Sequence, residues 1–410
     1  MNNTIKLAVA SALLAAASSA SAAGGIVAGD WTLDIGGNVN AFYTHTTKSG
    51  VTPSTTNITT GLLPNFLSVS GKTRQNDLDV AFTISIQPGS STSQGLANYN
   101  TATQENRQAF LTFGDASWGS VKLGKDIGIY ASDAILNDMT LLGVGSGAGI
   151  LAGNTTTLGR IGTGFMYADW KSQIAYSSPN FNGFNFTVGV TQAWNATAAG
   201  QFASDERRNN PLYAGPFQSA LSTGRGGSQP AFEGKASYSF TADQVTGKVW
   251  ASGISQKVED LTYGGENLGG RTASAWDLGA NVNMAGFGLT GYYGEGRGMG
   301  TTLQLRDGFD SEGNKRKSED WYLQATYALP GVATKLGVSY GESQLKYTEF
   351  DDNDRNYNNS MWTFGAYHPI TKHLNLVAEY SEQQLKDEKC GTGDYNGKSK
   401  TVSLGAILFF

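Results

Sequence analysis

The last ten residues, Thr401 to Phe410, alternate along their length. Val402, Leu404, Ala406, Leu408 and Phe410 share one face of an extended chain, and Thr401, Ser403 and Gly405 share the other. A strand of about ten residues with one apolar face and an aromatic end is the building element of a transmembrane β-barrel. The last strand of a soluble β-sandwich has the same pattern, so the choice between them falls to the rest of the chain.

The opposite end reads as an export signal. Lys6 is the only charge before Asp30, Leu7 to Ala17 is a short apolar run, and Ala20-Ser21-Ala22 offers a small-x-small cleavage site, which places a cut after Ala22. The signal is then residues 1–22, and residues 23–410 form one domain. No stretch is long and apolar enough for a spanning helix; the richest, Leu142 to Gly153, is broken by glycines and a serine. Without Lys6 the chain carries 28 basic and 34 acidic side chains, a net charge of −6, which argues against a nucleic-acid partner. Fifty-four glycines with abundant aromatics fit strands joined by turns and polar loops rather than a helical globule. The single cysteine, Cys390, allows no intrachain disulfide and sits in a polar stretch that reads as incidental. Barrel closure, which satisfies every strand edge, then has to supply the stability.

Alternation recurs from Trp31 onward. Leu33, Ile35, Val39 and Tyr43 oppose Thr32, Asp34, Asn38 and Asn40, and Trp276, Leu278, Ala280 and Val282 oppose Asp277, Asn281 and Asn283. Amide and carboxylate side chains on the second face suit a wet lumen. About sixteen strands are expected, near 30–45, 64–72, 77–88, 106–114, 118–125, 169–177, 183–193, 230–241, 246–256, 272–284, 287–296, 319–328, 334–344, 358–368, 373–384 and 399–410. Short turns at 73–76, 115–117, 178–182, 242–245, 285–286, 329–333 and 369–372 alternate with long polar loops. An even count with short turns on one side is how bacterial outer-membrane barrels are built. The fold class is therefore all-β, a transmembrane antiparallel barrel. The longest loop, 126–168, carries Ile127, Ile129, Tyr130, Ile135, Leu136, Met139, Leu141 and Leu142, apolar residues suited to packing against an inner wall. It is expected to fold inward and narrow the pore.

Five segments resemble the trimeric general-diffusion porins of Gram-negative outer membranes. They are 107–114 with 118–125, the start of the loop from Asp126 to Met139, 170–179 with Phe184, Leu67-Ser68-Val69-Ser70-Gly71, and the terminal Phe410. The resemblance implies a homotrimer in outer-membrane lipid and lipopolysaccharide that passes small hydrophilic solutes without a cofactor. It also implies wall cations facing loop carboxylates. Arg107 matches one wall arginine, Lys171 takes a second, and Lys122 is a third candidate. Arg74, in a short turn, is a weaker one. A further wall position holds Phe66, so the basic cluster is incomplete. On the loop, Asp126, Asp133 and Asp138 are the candidate acids, either lumen-facing or engaged in turn caps and wall bonds. The tip, Thr140 to Ser146, has no carboxylate. Two or three cations facing a nearly neutral tip predict a constriction with weak anion preference.

A substrate-selective channel and a barrel hydrolase are the alternatives. The hydrolase needs a base beside a serine and a carboxylate; His45, His368 and His373 show no such spacing. No nucleotide or zinc motif occurs. Asp351-Asp352-Asn353-Asp354 reads as a solvated acidic loop, and Arg297, Arg306 and Lys315-Arg316-Lys317 as a solvated external surface that could also meet lipopolysaccharide phosphates.

Overall fold

The computed structural model describes residues 25–49, 54–90, 104–146, 156–198, 219–222, 227–351, 356–390 and 393–410. The expected signal at 1–22 lies outside them, as do residues 352–354 of the acidic loop and the side chain of Cys390.

Sixteen long strands form the wall. They are β1 Trp31–Lys48, β2 Phe66–Gln75, β3 Leu78–Gln87, β4 Glu105–Asp115, β5 Gly119–Ile127, β6 Trp170–Ser177, β7 Phe184–Thr191 and β8 Ala231–Ala242. Then follow β9 Val245–Tyr263, β10 Glu266–Met284, β11 Phe287–Arg297, β12 Lys317–Ala328, β13 Lys335–Lys346, β14 Asn356–Pro369, β15 Leu374–Cys390 and β16 Gly393–Phe409. Three short pieces, Ile26–Ala28, Thr55–Thr59 and Leu221–Ser222, pair along the edges of β1 and β9. Each long strand pairs antiparallel with the next. The ring closes where β16 meets β1, from Ser399↔Lys48 to Phe409↔Asn38. Phe410 extends the seam, its N–H donating to Gly37 O (3.1 Å) and its carbonyl accepting from Gly37 N–H (2.9 Å). Closure leaves no unpaired edge, the condition for putting a sheet in lipid.

The period-two pattern resolves into two faces. Ile35, Val39, Tyr43, Trp276, Leu278 and Leu404 are exposed on the outside of the barrel, while Asn38, Asn40, Thr44 and Asp277 are buried within it. Aromatics gather outside near the short-turn end, where Phe287 stacks on Tyr327 at 4.2 Å between ring centroids. That arrangement is an interfacial girdle.

The short turns are tighter than expected. β2 and β3 meet at Asn76–Asp77 alone, both with positive φ (51° and 62°), the two-residue geometry whose twist matches a hairpin. One expected loop is absent. Residues 257–263 and 266–271 are strand, and β9 and β10 join through Gly264 and Gly265, both at positive φ. Polar composition suggested a loop there, but strands that rise above the membrane are wetted on both faces and need no apolar one.

Substituting Asn76 by Val should destabilise the barrel by about 1–2 kcal/mol, since a β-branched residue is disfavoured at positive φ. Asn76→Gly should be close to neutral. Urea unfolding midpoints in lipid vesicles would separate the two.

Candidate functional site

The chain leaves the wall after Ile127 and returns at Trp170, with Gly128 N–H donating to Asp169 O (2.8 Å) at the base of the loop. The inserted segment is tied down by side chains that alternation points inward. Glu233 on β8 accepts from the N–H groups of Ile129 and Tyr130, both at 2.8 Å. The Ser252 hydroxyl on β9 accepts from Ala131 N–H (3.1 Å). A short helix, α1 Ser132–Asn137, follows. Tyr322 on β12 donates to Ala134 O (2.9 Å), and Gln324 accepts from Met139 N–H (2.7 Å). Glu379 on β15 accepts from Val144 and Gly145 N–H at 2.7 and 2.9 Å. The loop thus runs along the inside of the wall from β8 to β15. Ile135, Met139, Leu141 and Val144 pack there with Phe42, Phe66 and Tyr322. A Cβ on Gly143 would overlap the Glu379 carboxylate, so glycine permits this approach.

Each anticipated charge has a definite place. Arg107 lies at a bulge between β3 and β4, where Ser85↔Gln108 is followed by Gln87↔Glu105. The extra residue turns its side chain inward, where Arg107 Nε donates to Glu105 Oε2 at 2.7 Å. Lys171 does not line water. It is fully buried, donating to Glu233 Oε1 (2.7 Å) and Gln304 Oε1 (2.6 Å). The reason is a segment sequence matching could not place: 298–316, between β11 and β12, packs down over it. Lys122 faces inward and pairs with Asp126, which belongs to β5 and not to the loop. Asp133, on α1, pairs with both Lys235 and Lys248. Asp138 accepts from Thr140 N–H (3.0 Å), capping the turn Met139–Leu142. Burial raises its carboxyl above the ordinary range against the opposing charge of Arg160. Phe66, where a wall cation was anticipated, is buried against the loop. The loop tip lacks a carboxylate, but Glu379 from the wall is bonded to it, so that part of the constriction is not cationic.

Lys235, Lys248, Glu233 and Glu379 escaped sequence reading. Their inward parity was legible; which of many inward side chains meets a loop from elsewhere in the chain was not. Arg74 is no constriction residue: it bonds Asp79 and Asp115 (2.8 and 2.9 Å) beside the short turns. There, against β1 to β5, lies a cavity of ≈ 630 Å³ lined by Thr32, Lys72, Thr112 and Ser120 among others. Nor is Arg316 solvated. It is buried, pairing with Asp351 and donating to Ser219 Oγ, Asp307 O and Phe309 O. His45 sits within β1 beside Thr56 Oγ1 (2.9 Å) and His368 beside Thr334 Oγ1 (2.9 Å).

A family model described as Gram-negative porin matches residues 8–388. The chain belongs to the Gram-negative porin family. This porin is thus a β-barrel of the outer membrane, and its lumen is a diffusion channel. Solved structures share the fold at low identity. An anion-selective porin from Comamonas acidovorans is 16% identical, with a TM-score of 0.61, over 93% of this chain and all of that one. The outer membrane channel DcaP of Acinetobacter baumannii is 13% identical, with a TM-score of 0.66, over 94% and 100%. OmpF of Salmonella typhi is 16% identical, with a TM-score of 0.60, over 94% and 99%. No curated protein matches in sequence.

Glu233→Gln should cost about 3–5 kcal/mol, because it strips the counter-charge from buried Lys171. Adding Lys171→Met should recover most of that loss. Unfolding midpoints of the single and double variants check both.

Proposed function

We propose that this porin lets small hydrophilic solutes diffuse down their gradients, with a weak preference for anions and no chemistry of its own. The observation that carries the preference is the depth at which opposite charges sit along the inner wall. Lys122, Lys235 and Lys248 have side chains 27–30% exposed, whereas their partners Asp126 and Asp133 are 8% and 5% exposed. In each pair the lysine side chain is the more exposed partner and the carboxylate the more buried one. Two lysines share Asp133, so that pairing holds one more cation than anion. In a narrow low-dielectric passage local charge outweighs the negative total. The likeness to a porin named as anion-selective agrees with this reading.

The channel reading needs no catalytic group. Where hydrolysis would require a serine and a carboxylate beside a histidine, His45 and His368 meet threonine hydroxyls. We also propose a homotrimer. The outside of β16 and β1 presents Val39, Tyr43, Leu404 and Leu408, a surface that packs on lipid or on another barrel. The mass of the unheated, detergent-extracted protein should be three times that of the chain, and a monomer would refute the assembly.

In planar bilayers under a salt gradient, the reversal potential should show weak anion preference at 0.1 M salt. It should fade toward 1 M as the screening length falls from about 10 Å to about 3 Å. Lys235→Gln with Lys248→Gln should move it toward cations. Arg107→Ala with Lys171→Ala should move it less, because Lys171 is shielded from water. Clear cation selectivity of the unaltered protein would sink the proposal.

A further inference from the structure

The loop between β5 and β6 is not alone in turning inward. Residues 298–316, which join β11 to β12, do so as well, and their side chains explain why. Met299, Leu305 and Phe309 are almost wholly buried, in one apolar cluster with Val258 and Leu261 of β9 and Ala273 of β10. Arg316 fastens the end of the segment. It pairs with Asp351 and donates to Ser219 Oγ (2.9 Å) and to the carbonyls of Asp307 (3.0 Å) and Phe309 (2.9 Å). The backbone closes on itself: Leu305 N–H donates to Met299 O (2.7 Å) and Arg316 N–H to Gly308 O (2.9 Å). A segment with its apolar side buried and its donors satisfied is held in one position.

Its tip reaches the first inserted loop. Thr302 O accepts from Tyr167 N–H (2.9 Å), and Gln304 Nε2 donates to the carbonyls of Tyr167 (3.2 Å) and Ala168 (3.1 Å). A Cβ on Gly162 would lie 2.5 Å from Thr302 Oγ1, so glycine lets the two segments touch. Gln304 and Leu305 are buried by this contact, whereas Thr302 and Leu303 stay half-exposed. Leu303 faces a gap of ≈ 80 Å³. The other sides of that gap are Leu136 of α1, Leu158 of the returning limb, Leu62 ahead of β2 and Trp170 of the wall. An apolar cavity of about 150 Å³ holds benzene. At 80 Å³ the volume of one side chain decides what fits.

We propose that 298–316 is a second constriction element, and that Leu303 at its tip sets the size limit for solutes together with the first inserted loop. The inference rests on the reading of the lumen as a passage for small hydrophilic solutes. It adds a specificity-determining residue from a connection that neither strand periodicity nor turn chemistry marks.

The test compares disaccharide with monosaccharide flux through the full-length protein in lipid vesicles. Single-channel conductance at about 1 M KCl, where charge is screened, is the second measurement. Leu303→Trp should lower the disaccharide-to-monosaccharide ratio severalfold and reduce the conductance, and Leu303→Gly should raise both. The ratio is internal to each variant and independent of how much protein inserts. Because Leu303 is half-exposed, neither substitution should move the unfolding midpoint enough to explain the change. Leu289→Trp, which adds the same bulk on the lipid face of β11, should alter neither reading. An unchanged ratio and conductance in Leu303→Trp, or an equal change in Leu289→Trp, overturns the constriction. If the unaltered protein passes neither sugar, the hydrophilic-solute reading fails, while the conductance of the Leu303 variants still decides the inference.

Discussion

Everything in this molecule depends on the seam between β16 and β1. In hydrocarbon no water satisfies a backbone N–H, so an open edge is not tolerated. The register from Ser399↔Lys48 to Phe409↔Asn38, extended by Phe410 and Gly37, removes the edge. Once the ring is closed, side-chain parity is settled for every strand. The exterior becomes the apolar belt of Val39, Leu278 and Leu404, and the interior receives the polar side chains. A ring of this strand number leaves an interior too wide for wall side chains to fill alone.

The interior is then occupied by a chain segment held through its backbone. Glu233 and Glu379 each receive two main-chain N–H groups from the inserted loop, and Tyr322 and Gln324 hold the stretch between. Such anchors suit a segment with no regular partner strand, because they satisfy donors that a helix or sheet would otherwise satisfy. The apolar side of the same segment packs on Phe42 and Phe66. The wall beneath that part of the loop is apolar rather than charged. The cations sit elsewhere: Lys171 is neutralised under the loop 298–316, Arg107 is paired with Glu105 at a bulge, and Lys122, Lys235 and Lys248 remain partly exposed.

Two physical facts made the fold readable without coordinates. Alternation has a period of two, and the lipid enforces it on one face of every strand, so the pattern in 31–43 and 272–284 survives any detail of loop structure. Turn chemistry is local, so the short connections were located to within a few residues. The reading failed where neither constraint acts. Residues 257–263 and 266–271 lie beyond the lipid and are strand despite their polar composition. Arg316 looked solvated because its partners, Asp351, Ser219 and the carbonyls of Asp307 and Phe309, include groups far away in sequence.

By itself, then, the sequence determined the all-β class, the strand number, the facing of residues along the regular strands and the inward loop, because all of these follow from local periodicity and the solvent on each side of the wall. Only the tertiary structure decided which inward charges meet. Asp126 belongs to the wall, Asp133 answers to two lysines from β8 and β9, and Lys171 is covered by a segment more than a hundred residues away. Electrostatic partnership inside a barrel depends on where loops from distant parts of the chain come to rest, and no periodicity encodes that.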